Sequence, residues 1–237
     1  MSYAFDFSDI GKNAGLLAHG IGVTLGLTAA STTLGGLVGA VGALTAIAGP
    51  RWARATVATY VELIRNTPFL VQLFFVFFGL PSLGVHIDEV QAAVLAMAVN
   101  VGAYAIEILR AGIESVPMGQ QQAARAIGLS ESRVFIHVVL PQALANVFPA
   151  IVSQVLIMML GSAVVSQISV QDLTYAANYI QSHDFRAFET YIIVTAIYLL
   201  LAIGLRWLLN RLGSRLFAGR APLGTGRSRA PAATENA

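Results

Sequence analysis

Apolar runs long enough to cross a lipid bilayer recur along this 237-residue chain, and they limit it to one class of fold. A hydrocarbon core of about 30 Å needs roughly 20 residues of helix. Five stretches meet that length: Gly20–Ala48, Val57–Leu80, Val90–Leu109, Pro141–Ile168 and Phe188–Leu209. Within lipid every backbone N–H and C=O must be paired internally, which leaves helices or closed barrels. Barrel strands would show alternation over about ten residues, whereas these runs are continuously apolar. The expectation is an all-α membrane protein with about five transmembrane helices. Composition agrees: only 11% of residues are Asp, Glu, Lys or Arg, against about 25% in soluble domains.

Basic residues fall on one side of these spans. Arg51, Arg54, Arg125, Arg133, Arg211, Arg215, Arg220, Arg227 and Arg229 lie in one set of connections, with Arg65, Arg110 and Arg206 near span edges. The other set holds Lys12 and Arg186 against Asp6, Asp9, Asp88, Glu89, Asp172 and Asp184. Lys and Arg mark the cytoplasmic side, so the N-terminus is expected outside and the C-terminus in the cytoplasm. The chain then divides into a periplasmic N-terminal segment (1–19), a transmembrane domain (20–212) and a cytoplasmic tail (213–237). The tail is rich in Gly, Ala, Pro and Arg and cannot bury enough apolar area to offset its ordering, so it reads as disordered. Attraction to anionic membrane lipid accounts for its charge without nucleic acid. The N-terminus lacks a basic leader, so the first apolar run is expected to remain as a span.

Several chemistries are excluded. There is no cysteine, hence no disulfide or thiolate metal site. His19, His86, His137 and His183 are far apart and read as interfacial or loop residues; no metal site is expected. A phosphate-binding loop needs Lys followed by Ser or Thr. The sole lysine, Lys12, is followed by Asn13, so any nucleotide-driven work belongs to another chain, and this one is expected to be no enzyme.

The longest connection on the arginine-rich side, about 113–135, has an architecture of its own. Pro117 suits a first helical turn, Gln120–Ile127 are mostly good helix formers, and Gly128 fits the left-handed residue that ends a helix. Ser130 can cap the next helix, with Glu131 placed well against its dipole. By itself this reads equally well as a helical connector or as a docking knob. In the first span, Gly22-x-x-x-Gly26 and Gly35-x-x-x-Gly39 have the spacing that lets helix backbones approach closely in lipid.

Gly119-Gln-Gln-Gln-Ala-Ala-Arg-Ala-Ile-Gly-Leu-Ser, followed by Val139-Leu-Pro-Gln-Ala, resembles the EAA loop of ABC importer permeases. Three further segments resemble the polar amino acid branch of that family. They are Tyr60-Val-Glu-Leu-Ile-Arg-Asn-Thr-Pro-Phe-Leu-Val-Gln72, Ala103-Tyr-Ala-Ile-Glu-Ile-Leu-Arg-Ala-Gly-Ile-Glu-Ser-Val-Pro117 and Val165-Ser-Gln-Ile-Ser-Val-Gln-Asp-Leu-Thr174. The similarity spans about residues 14–212.

The resemblance implies a multi-pass permease subunit of the bacterial inner membrane that imports polar amino acids by alternating access. Its partners would be a dimer of ABC ATPases, a second permease subunit and a periplasmic amino-acid-binding protein. ATP and Mg would bind the ATPase, leaving this chain without a cofactor. Gly119, Gln122, Ala123, Ala124 and Gly128 would form the coupling surface. Two positions depart from the family pattern: Gln122 replaces the acidic residue of the loop, and Leu160-Gly-Ser-Ala163 stands where the family has Lys-Asp-Thr-Ser. These departures point to a different chain as the second permease, with a copy of this one as the alternative.

Polar residues inside lipid are costly and therefore candidates for a solute path: Gln72, Asn100, Ser153, Gln154, Ser162 and Ser166. Interhelical hydrogen bonding is the plainer role for each. Arg65-Asn-Thr-Pro68 is expected to cap a helix restarting at Pro68, which would make Arg51 to Ile64 a surface helix; a proline kink in one continuous span is the alternative. Glu107 and Arg110, spaced i,i+3, are expected to form an interfacial clasp with each other, Arg65 or Glu62. Two other functions stay open. A membrane scaffold or regulatory subunit would carry no solute path. A secondary transporter fits poorly, because no internal repeat is visible.

Overall fold

The computed structural model describes residues 11–217, and the described residues are helical throughout apart from short turns. Four helices are long and apolar enough to span a membrane, and a bent pair makes five if it is counted as one span. In chain order they are α1 (Ala14–Ala48), the pair α2 (Arg51–Arg65) and α3 (Phe69–Ser82), and α4 (Glu89–Glu114). The short α5 (Met118–Ala126) and α6 (Glu131–Val134) follow, then α7 (Leu140–Gly161), α8 (Leu173–Asp184) and α9 (Ala187–Leu216).

α1 meets its neighbours through small residues. α1 buries Thr24, Thr28, Ser31, Gly35, Gly39 and Gly42 while exposing Leu34, Leu37, Val41 and Leu44. In lipid the large apolar side chains gain nothing by hiding, so small residues line the helix contact. A Cβ on Gly35 would come within 2.7 Å of Val101 Cβ, and one on Gly39 would collide with Ala105. The Gly35/Gly39 pair therefore lets α1 lie against α4. Around Gly22 and Gly26 a Cβ would meet nothing within 4 Å, so that close approach is not made among the described residues.

The expected second span is interrupted. α2 and α3 are separate helices bent by 107°. Pro68 adopts φ −63°, ψ 138°, outside the helical region, and starts α3; its ring and missing N–H forbid a continuous ladder. Asn66 and Thr67 do not cap α3 as expected. They turn back and donate to α2 carbonyls, Asn66 Nδ2 to Glu62 O at 2.8 Å and Thr67 Oγ1 to Leu63 O at 2.8 Å. α2 is amphipathic, with Val61 buried and Arg51, Trp52, Arg54 and Arg65 exposed, which suits a helix lying along a surface.

Other boundaries also shift. α1 begins at Ala14, so part of the expected N-terminal segment is helical, and α9 runs on to Leu216. The rest of both expected terminal segments lies outside the described residues. The fourth span runs unbroken from Glu131 to Ile168. Just before Pro141 it widens to a π-turn over Phe135–Val139, where Leu140 N–H reaches Phe135 O; such bulges occur where a proline disrupts the ladder. α8 occupies a stretch expected to be a loop. Its cap explains it: Asp172 Oδ1 accepts from Tyr175 N–H at 2.8 Å.

Candidate functional site

α5 projects at the end of the bundle as a short knob. Gly119, Gln122 and Ala123 are exposed, together with Met118 and Ile127, whereas Ala124 turns inward. Ala124 packs with Val116, Val134, Val139 and Ala143, which seats α5 on the roots of α4 and α7. Of the five expected coupling residues, Ala124 thus anchors the knob and the other four are presented outward. Gly128 has φ +85°, the left-handed conformation that costs other residues a steric penalty. Its N–H bonds Arg125 O at 2.9 Å and Leu129 N–H bonds Ala124 O at 3.2 Å, closing the turn.

A feature not anticipated from sequence braces this turn. Arg125 donates through Nε and Nη2 to both carboxylate oxygens of Glu131, at 2.6 and 3.0 Å. The fork bridges Gly128 and fixes α5 relative to α6. A separation of six residues lies outside helical i,i+3 and i,i+4 rules, so only knowledge of the turn reveals it. Ser130 sits at the start of α6, but its side chain makes no cap bond. Asn146 Nδ2 donates to Ser115 Oγ at 3.0 Å, tying α7 to the start of the loop.

The interfacial clasp is present and larger than expected. Glu107 accepts from Arg110 at 3.0 and 3.1 Å and from Arg65 at 3.4 Å, and Arg110 also binds both oxygens of Glu114 at 2.9 Å. Arg65 further lies 5.5 Å from the ring centre of Tyr104. α2 is thereby fastened to α4 by side chains half-exposed at the surface. Glu62 contributes its backbone carbonyl to Asn66, not its carboxylate to the clasp.

The polar candidates within the spans do not converge as one constellation. Gln72 and Asn100 do meet: Asn100 Nδ2 donates to Gln72 Oε1 at 2.9 Å. Gln72 Nε2 is within 2.7 Å of Ile64 O, 3.0 Å of Thr67 O and 2.8 Å of Thr67 Oγ1. This side chain therefore stitches the α2–α3 break and connects it to α4. Ser162 and Ser166 donate to their own helix, to Met159 O at 2.7 Å and Ala163 O at 2.8 Å. Ser153 likewise donates to Pro149 O at 3.0 Å, and Gln154 is partly buried on the same helix.

A polar cluster that sequence reading missed sits at the opposite end. Tyr198 Oη lies 3.4 Å from Asp172 Oδ2 and 2.9 Å from Thr174 Oγ1, while Thr24 Oγ1 accepts from Leu173 N–H at 3.2 Å. It joins α1, α8 and α9. Asp172 is fully buried, and burial pushes its carboxyl up to about 6 despite the hydrogen bonds from the Tyr175 N–H and the Tyr198 hydroxyl. Reading Asp172 as a helix cap would have exposed part of this arrangement.

Comparison with known proteins matches these features. Residues 35–218 fit the family described as binding-protein-dependent transport system inner membrane component. The chain is 39% identical to a probable glutamine ABC transporter permease protein, GlnM, of Bacillus subtilis (strain 168), over 66% of this chain and 73% of that one. It is 34% identical to the arginine transport system permease protein ArtQ of the same organism, over 84% and 91%. Its fold superposes on a chain in a crystal structure of an amino acid ABC transporter with a TM-score of 0.83 at 38% identity, covering 90% of this chain and all of the other. With the family pattern matched across most of its length, this chain belongs to the inner membrane components of binding-protein-dependent transport systems.

Proposed function

We propose that this chain is a permease subunit of an ATP-driven importer of polar amino acids, and that α5 is where a separate ATPase takes hold of it. Membership of the family makes it the multi-pass inner-membrane permease of an ABC transporter, working with ATPase subunits and not hydrolysing ATP itself. The substrate class follows from its similarity to permeases named for glutamine and arginine. The observation that carries the coupling role is the outward knob. Gln122, Ala123 and Ile127 are exposed on a helix whose shape is fixed by Gly128 and the Arg125–Glu131 fork.

The arginine distribution supports α5 on the cytoplasmic side and Asp172 with α8 on the outer side, where a binding protein would deliver solute. ATP-driven closure of the ATPases would move α5, and with it α4 and α7. The second permease is a different chain, in keeping with the departures at Gln122 and Leu160; purification as a symmetric dimer of this chain alone would contradict that.

The native chain has no cysteine, so single introduced cysteines give clean crosslinking. Gln122→Cys and Ala123→Cys should crosslink to the ATPase in the assembled complex, and Tyr179→Cys on α8 should not. Failure of both α5 positions in an active complex would sink the coupling role.

A second reading, a scaffold without a solute path, draws on one observation: Gln72 is engaged at both ends, accepting from Asn100 and donating to Ile64 and Thr67, which leaves little of it for a solute. Asn100→Ala and Gln154→Ala both leave Gln72's bonds to α2 in place. If neither alters uptake, the scaffold reading gains.

A further inference from the structure

Between α2, the end of α1 and α4 lies a cavity of about 950 Å³, within the roughly 300–1,000 Å³ range of pockets that hold small molecules. Its charged lining comprises Arg51, Arg54, Glu62 and Arg65 from α2 and Glu107 and Arg110 from α4; its remaining walls are mostly alanine and branched apolar side chains. Four guanidinium groups thus face two carboxylates. Arg65 and Arg110 are committed to the clasp with Glu107 and Glu114. Arg51 and Arg54 have no ion-pair or hydrogen-bond partner for their side chains among the described residues. Glu62 is the one carboxylate of the lining outside the clasp, so Arg51 and Arg54 leave the cavity with one positive charge in excess.

The helix that carries them is built for the membrane surface. Arg51, Arg54, Ala58, Glu62 and Arg65 recur at helical spacing along one stripe facing the cavity. Trp52 and Leu63, 74% and 62% exposed, lie together about 120° round the helix from that stripe, where an indole is suited to the headgroup level. α3 continues from this helix as a mostly apolar segment, bent by 107°. With α3 along the bilayer normal, α2 lies within about 20° of the membrane plane.

We propose that this cavity binds the headgroup of an anionic phospholipid in the leaflet on the arginine-rich side, with Arg51 and Arg54 as ligands for the phosphate and Trp52 and Leu63 against the acyl chains. A soluble anion would use the arginines but not the exposed Trp52 and Leu63 of the same helix. An acidic protein surface would not need a cavity opening beside lipid-facing residues. The lipid uses all three features. The proposal depends on α2 lying at the membrane surface and not on the solute carried or on α5 as the coupling element.

The test uses the complete transporter with its ATPase subunits, exchanged into nanodiscs of phosphatidylcholine with or without phosphatidylglycerol, and native mass spectrometry of the lipid retained. The wild type should keep phosphatidylglycerol in preference to phosphatidylcholine. Arg51→Gln/Arg54→Gln should weaken that retention by roughly ten- to thirtyfold, and each single change by a smaller factor. Arg51→Lys/Arg54→Lys, which keeps the charges, should preserve most of it. Arg211→Gln/Arg215→Gln, on α9, should leave it unchanged. Equal retention by wild type and the double glutamine variant overturns the proposal. So does displacement of the lipid by millimolar inorganic phosphate, which would assign the site to a soluble anion. Loss of the ATPase subunits with lipid retention intact would assign the arginines to a protein contact. Should the double variant fail to assemble, the single variants and the lysine pair carry the same comparison.

Discussion

Gly128 and Gly119 form a matched pair for testing why the α5 knob needs glycine. A Cβ at either position would meet nothing within 4 Å, so sterics against neighbours are removed from the comparison. Only backbone conformation differs: Gly128 has φ +85°, whereas Gly119 lies in the first turn of α5. Alanine in the left-handed region costs about 1–2 kcal/mol, which multiplies the open fraction of the turn by roughly five- to thirtyfold. Alanine in a helix gains up to about 1 kcal/mol over glycine, so Gly119→Ala should leave the turn closed or tighten it. Asparagine tolerates the left-handed conformation better, and a β-branched residue tolerates it worst. The expected order of disturbance at position 128 is therefore Asn, Ala, Val.

Amide hydrogen exchange reads this directly, because Gly128 N–H and Leu129 N–H are the two bonds that close the turn. Their exchange should accelerate about five- to thirtyfold in Gly128→Ala, by less in Gly128→Asn, and not at all in Gly119→Ala. Uptake per ATP hydrolysed in proteoliposomes should fall in the same order. Unchanged exchange in Gly128→Ala would refute the reasoning. Loss of coupling in Gly119→Ala with normal exchange would show instead that a partner approaches the backbone at Gly119 too closely for a methyl group.

Gln72→Leu removes the bonds to Ile64, Thr67 and Asn100 and should destabilise the purified protein by about 2 kcal/mol at roughly 0.6 kcal/mol per bond in a membrane interior; Asn100→Ala removes one and should cost about a third as much in thermal unfolding. Gly39→Val places atoms into Ala105 on α4 and should cost about 1–3 kcal/mol, while Gly26→Val, with open space around it, should leave the unfolding temperature nearly unchanged. Asp172 holds its proton up to about pH 6 in the fold, so its contribution is fully present below the ordinary carboxyl range and is lost as pH rises through 6. Lowering the pH from 7 to 5 should stabilise the wild type by about 1 kcal/mol, and Asp172→Asn should abolish that slope; an equal slope in both would place the titration elsewhere.

Spans with long apolar runs were legible because lipid imposes one requirement, a continuous internally bonded helix, that composition alone reveals. α1, α4, α7 and α9 all satisfy it. The knob was legible for a different reason: Pro117 and Gly128 each restrict the backbone locally, Gly128 in the expected left-handed conformation and Pro117 one residue before α5, not in its first turn. The break at Pro68 was visible only as one of two alternatives, because a proline also permits a kink. What decides it is Gln72, whose amide reaches back eight residues to Ile64 O, a contact that presupposes the turn it stabilises. α8 was not anticipated, since its twelve residues include Asn178, Gln181, His183 and Asp184 and lack a spanning apolar run. Its inner face of Leu173, Ala176, Ala177 and Ile180 has helical spacing that a search for membrane spans passes over.

Two of the polar groups expected to line a path, Gln72 and Asn100, join α2, α3 and α4, and this bears on what the bundle can do mechanically. α4 is fixed to α1 by glycine contacts that admit no side chain between them. At its end it carries both the clasp to Arg65 and the root of α5, through Glu107, Ser115 and the cluster around Val116. Asn100, further along α4, reaches Gln72 at the α2–α3 break. A displacement of α5 that tilts α4 therefore acts on the break at two points: the clasp near the surface and the amide pair deeper in. Surface ion pairs contribute little to stability, and the clasp is half-exposed, so it can open at small cost. The amide pair is more sheltered, with Asn100 buried and Gln72 partly so, and should persist longer. The break would then stay held at Gln72, which bonds Ile64 O of α2 as well as Asn100 of α4, while the Arg65 ion pair opens.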